Sequence, residues 1–132
     1  MKHATIILKD GFDTAIDRVT AALAEEGFGV ITRIDMDETF RAKLGVEFPR
    51  YTILGACNPK LAHTAVSAVP EIGLLLPCNV TVETIAEGTR VRLPDVHDML
   101  GGAGLSQAPQ LDALAEDAGT RLARVEQALS AG

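Results

Sequence analysis

No tryptophan and a single tyrosine are present, and aromatic residues together make up only 4% of the chain. Platforms that stack nucleobases need aromatic faces, so that class of nucleic-acid binder is disfavoured. Basic charge is short as well: 12 Lys and Arg stand against 18 Asp and Glu, for a net charge of -6. The basic residues are scattered, among them Arg33, Arg41, Lys43, Arg50, Arg90, Arg92, Arg121 and Arg124. They form no patch that would displace the counterions of a phosphate backbone, so no nucleic-acid partner is expected. No apolar run approaches the roughly 18–20 residues needed to span a bilayer. Met1-Lys2-His3 leads straight into a strand-like segment without the pattern of a cleavable signal. A cytoplasmic protein with no membrane partner is therefore expected. Thiols stay reduced there, so Cys57 and Cys78 are expected as free thiols or ligands, not as a disulfide.

What is present suffices for one domain spanning 1–132, because 47% of the 132 residues are apolar. Residues 4–9 read as a buried strand. Thr14-Ala15-Ile16-Asp17 fits a capping-box variant, so a helix is expected to start there and to stop at Gly27, burying Ile16, Val19 and Leu23. Phe28 to Ile34 is the next strand, followed by a short helix with Met36, Phe40 and Leu44 on one face and Gly45 at its end. Residues 50–57 form a third strand. Asn58 then caps a helix whose first position is Pro59, burying Leu61, Ala65, Val66 and Val69 before Pro70 stops it. Residues 73–85 read as one long strand, turned at Glu87-Gly88 into a last strand over 89–93. A brief helix from Asp95 to Leu100, a glycine-rich joint at Gly101-Gly102-Ala103-Gly104 and a closing helix over 109–130 complete the order β-α-β-α-β-α-β-β-α-α. Consecutive hairpin strands exclude a purely parallel sheet. The expected fold is α+β, a two-layer sandwich with helices on one face of a mostly antiparallel sheet.

Two stretches carry the chemistry: Gly55-Ala56-Cys57-Asn58-Pro59 and Leu76-Pro77-Cys78-Asn79-Val80. Each sets a Cys-Asn pair beside a proline at a strand's edge or kink. Cys57 precedes a helix N-terminus, where amide donors and the macrodipole favour an anion. The plainer reading makes Asn58 a cap and Cys57 a small buried filler. Cys78 shares a face with Leu74, Leu76, Val80 and Val82, so it should point into the core, with Pro77, Asn79, Thr81 and Glu83 on the other side. Pro77 lacks a donor and implies an edge or bulge that would re-aim a neighbour. Cys57, Cys78 and His63 are ligand types suited to copper(I) or zinc, but CxxC and HxxxH spacings are missing. His63 also falls on the polar side of its helix, so no metal is assigned and the cofactor stays unknown. The glycine joint follows no strand and lacks a Lys-Ser/Thr ending, which excludes a phosphate loop. Leu111, Ala115, Ala118, Leu122, Val125 and Leu129 alternate steps of four and three, a stripe suited either to a dimer seam or to packing on the sheet.

At these positions the chain resembles a known family. ILGACNP (53–59) and EIGLLLPCNVTV (71–82), after EEGFGVIT (25–32), closely match the family catalogued as domain of unknown function 302. The likeness runs from the first strand to the last helix, and it covers Cys57, Asn58, Pro59, Pro77, Cys78 and Asn79. The resemblance implies an α+β fold like one half of the TATA-binding protein, assembled as a homodimer, without DNA binding and without an established activity. The expected function is a small-ligand protein, non-enzymatic or weakly so. Its ligand, an anion, a sulfur species or a soft metal, would sit near Cys57, Asn58, Pro77, Cys78 and Asn79, with His63 nearby. A thiol enzyme using Cys57 as nucleophile and a purely structural partner protein are the alternatives.

Overall fold

The structure, a computed structural model, describes residues 2–102 and 109–131, with side chains of 101 and 102 left aside. Five strands form one antiparallel sheet: β1 (Ala4–Leu8), β2 (Gly29–Asp35), β3 (Tyr51–Cys57), β4 (Cys78–Ile85) and β5 (Gly88–Leu93), in the spatial order β1-β5-β4-β3-β2. Helices α1 (Phe12–Glu25) and α5 (Pro109–Ala131) cover one face, α3 (Pro59–Ala68) and α4 (Val96–Gly102) pack on α5, and α2 (Met36–Leu44) falls in the connection from β2 to β3. This is the α+β architecture expected.

Period-two alternation sets the core. Ile6, Leu8, Leu54, Val80, Val82, Val91 and Leu93 point inward, while Arg90 and Arg92 point out. Onto that surface α1 lays Phe12, Ile16, Val19 and Leu23, and α5 lays Ala118, Leu122, Val125 and Leu129. The 4–3 stripe of α5 is thus spent inside the protomer. All six of its apolar residues are buried, which decides for packing over a dimer seam.

Several boundaries differ from the reading of the sequence. Helix α1 begins at Phe12 behind Gly11, and no side chain caps it. Burial of Phe12, whose ring carries the Arg50 guanidinium 4.0 Å from its centroid, outweighs the local Thr14 signal. The strand expected over 73–85 starts only at Cys78, because its partner β3 ends in register at Ala56↔Cys78 and then turns into α3. With no ladder to join, Pro70–Leu74 form a 3-10 turn instead, and Leu74 is 88% exposed. Val66, expected inside, is exposed, so α3 buries only Ala65 fully and Leu61 and Ala62 in part, with Val69 half-buried just beyond its end. Gly101 and Gly102 close α4, and the rest of the glycine joint lies outside the described residues. Gly27 ends α1 as expected: it takes φ 85°, a conformation open to glycine at little cost.

Candidate functional site

The interior is divided. The main core lies between the sheet, α1 and the C-terminal part of α5, and a smaller cluster of Ala65, Ile72, Leu100, Leu111 and Ala115 joins α3, the 3-10 turn, α4 and the start of α5. At the seam between the two clusters lies a cavity of about 70 Å³, and Ala56, Cys57, Asn58, Pro77 and Cys78 form its sheet-side wall. Among the described residues no charged side chain lines it.

Backbone geometry brings the two cysteines there. Ala56 and Cys78 are partners in the β3–β4 ladder, so Cys57 lies one residue beyond Cys78's partner, where β3 leaves the sheet for α3. Cys78 is buried and Cys57 half-buried, both as free thiols. Burial first, and then the neighbouring Cys57, push the Cys78 thiol from 9.0 up to about 11. It therefore holds its proton at neutral pH. Asn58 is a buried cap: its Oδ1 accepts from the Leu61 N–H at 3.3 Å. Its amide nitrogen lies against Gly27, where an added Cβ would come within 2.9 Å. Pro77, after a cis Leu76–Pro77 peptide, packs against Gly55, whose bare Cα leaves room for the ring; a Cβ there would fall 2.7 Å from Pro77 Cγ and 2.0 Å from Thr32 Oγ1.

Of the six candidate positions, four line the cavity. Asn79 is exposed at the start of β4, outside the lining, because side chains alternate across the strand. His63 is exposed on α3 and also lies outside the lining. Among the described residues no group of three or more His, Cys, Asp or Glu side chains converges to hold a metal ion. The apolar wall supplied by Val96, Met99, Leu100 and Leu111 was missed in the sequence. The i, i+3, i+4 spacing of 96, 99 and 100 was its one visible sign.

The other face of the sheet has a polar centre. Glu83 on β4 accepts a hydrogen bond from Arg92 and faces Arg90 Nη1 at 3.7 Å. Beside them the Thr81 hydroxyl is buried without a partner, alone among the buried side-chain polar atoms of the described residues. Among the described residues no helix is long and apolar enough to cross a membrane.

A family profile described as Domain of unknown function DUF302 matches residues 4–129. Among solved structures the chain is similar to an uncharacterized conserved protein of the same family from Bacillus stearothermophilus. The two share 28% identity and a TM-score of 0.85, with 98% of each chain covered. No curated protein matches.

Proposed function

This chain belongs to the domain of unknown function DUF302 family, and we propose that it is a non-enzymatic homodimer that binds a small neutral ligand in the cavity lined by Cys57, Asn58, Pro77 and Cys78. The supporting observation is that two cysteines from adjacent strands reach one apolar seam between separate hydrophobic clusters. Of an anion, a soft metal and a sulfur species, the last fits best. An ion would lose its hydration against a wall without charged partners, whereas a neutral sulfur compound meets polarizable thiols and hydrocarbon. At about 70 Å³ the cavity is well below the roughly 150 Å³ that accepts benzene, so the ligand has only a few heavy atoms. The free state of both thiols suits a reducing compartment, and the cytoplasm is part of this proposal. A Cys57 nucleophile has less support, since the exposed His63 stands apart from the cavity and supplies no base there.

Titration of the isotopically labelled protein with ethanethiol, and separately with phosphate, tests the reading by amide NMR. Ethanethiol is expected to shift the amides of Cys57, Cys78, Leu61 and Leu111, and phosphate is not. If ethanethiol leaves those amides in place, the cavity is not a ligand site, and if it shifts them equally after Cys78→Ala, the Cys78 thiol does not recognise the ligand. Native mass spectrometry of protein purified under reducing conditions checks the dimer mass together with any retained small molecule.

A further inference from the structure

Cys57 and Cys78 are terminal residues of their strands, the last of β3 and the first of β4. Ala56 stands opposite Cys78 in the ladder, so Cys57 lies one residue further along the neighbouring strand. Strands about 4.8 Å apart, with a rise of about 3.4 Å per residue, set the two Cα atoms roughly 6 Å apart. A disulfide spans Cα separations of roughly 4.4–6.8 Å. Within an unbroken ladder Cys57 would alternate to the face away from Cys78. At the end of β3 that alternation gives way, because Cys57 and Cys78 line the same cavity of about 70 Å³. The closeness is also felt as charge: Cys57 is second only to burial among the causes that push the Cys78 thiol up.

The two thiols are unequally placed. Cys57 is half-buried and reaches solvent in part, whereas Cys78 is buried. A small oxidant therefore meets Cys57 first, with Cys78 waiting behind it on the next strand.

We propose that Cys57 and Cys78 are a reversible dithiol pair, which a small hydroperoxide oxidises to a disulfide that withdraws both thiols from the cavity. The Cys57 sulfur, as thiolate, attacks one peroxide oxygen. The O–O bond breaks, the other oxygen leaves as water or an alcohol after taking a proton, and Cys57 becomes a sulfenic acid. The Cys78 sulfur then bonds to the Cys57 sulfur, and the sulfenic hydroxyl leaves with the Cys78 proton as water. This is one stoichiometric oxidation, so it needs no general base beyond solvent. In a reducing compartment the bond is transient, reopened by cellular dithiols. Only the effect on the ligand rests on the reading of the cavity given above; the disulfide does not.

Peptide mapping of the full chain after hydrogen peroxide treatment tests the pair. Trypsin cuts after Arg50, Lys60 and Arg90, which places Cys57 in the peptide 51–60 and Cys78 in 61–90. Oxidation is expected to join these two peptides within one chain, leaving the intact mass at 13.9 kDa less two hydrogens, and dithiothreitol should separate them. Cys78→Ser should stop at a Cys57 sulfenic acid that dimedone traps. Peroxide that leaves both thiols free, or that links only separate copies, would overturn the proposal, and so would a Cys78→Ser chain without the dimedone adduct. Ethanethiol is expected to shift the amides of Leu61 and Leu111 in the reduced chain and not in the oxidised one. Shifts that persist after oxidation would sink the proposed withdrawal of the thiols. A disulfide that forms in a chain whose reduced state ignores ethanethiol would uphold the pair and remove the ligand reading alone.

Discussion

Cys78 should be a slow thiol in the folded chain and a source of alkaline instability. Its pKa is raised from 9.0 to about 11, chiefly by burial. Near pH 8 an ordinary thiol of that reference value is about 10% ionised, and one at 11 only about 0.1%, a difference of about 100-fold in reactive thiolate. A more basic thiolate is a better nucleophile, which returns about 10-fold of that. Ionisation alone therefore slows alkylation about 10-fold, and burial slows it further. The assay is iodoacetamide labelling followed by peptide mass spectrometry, comparing each cysteine in buffer and in denaturing urea. Half-buried Cys57 should label ahead of Cys78 in the folded chain, and urea should release Cys78.

The same shift has a consequence for stability. Between about pH 9 and pH 11 the unfolded chain has lost the Cys78 proton while the folded chain retains it, so the unfolded state binds fewer protons and stability falls as pH rises. The contribution is fully present below about 9 and is lost as pH climbs through about 11, and it amounts to roughly 2–3 kcal/mol. The informative quantity is the difference between wild type and Cys78→Ala, in which contributions common to both chains cancel. The variant starts about 1 kcal/mol less stable for its lost sulfur packing. Across the window that gap should close and then reverse. Parallel urea-midpoint curves from neutral pH to beyond pH 11, or Cys78 labelling as fast in buffer as in urea, would refute the reasoning.

Two further substitutions probe the cavity's wall. Asn58→Ala removes the acceptor for the Leu61 N–H and should lower stability by about 1–2 kcal/mol in urea unfolding; a change below a few tenths would mean that water replaces the cap. Gly55→Ala drives a methyl group onto Thr32 and the Pro77 ring and should cost about 1–3 kcal/mol, with partial rescue by Thr32→Ser/Gly55→Ala ruled out and by Thr32→Ala/Gly55→Ala expected, because only the latter removes the hydroxyl that the new Cβ meets.

Much of the fold can be read directly from local pattern. The alternation Thr89-Arg90-Val91-Arg92-Leu93 announces a strand with one wet face, and the structure buries its first, third and fifth residues. Asn58-Pro59 opens α3, Gly27 and Gly45 close α1 and α2, and the glycine joint is followed by a closing helix at 109. These signals act within a few residues, so no distant part of the chain is needed to interpret them. The Thr14 capping signal and the strand drawn through 73–77 failed for the opposite reason. The start of α1 follows the burial of Phe12 under Arg50, and the length of β4 follows where β3 stops pairing.

The candidate site divides along the same line. Local sequence determined that Cys57 ends a strand before a helix and that Cys78 turns inward with Val80 and Val82, since both depend on caps and on period-two geometry. Only the tertiary structure decided that these cysteines share a cavity while Asn79 and His63 lie outside it. It also decided that the α5 stripe is consumed within the protomer. Each of those outcomes depends on which strands pair and in what register, and register comes from contacts between residues far apart in the chain.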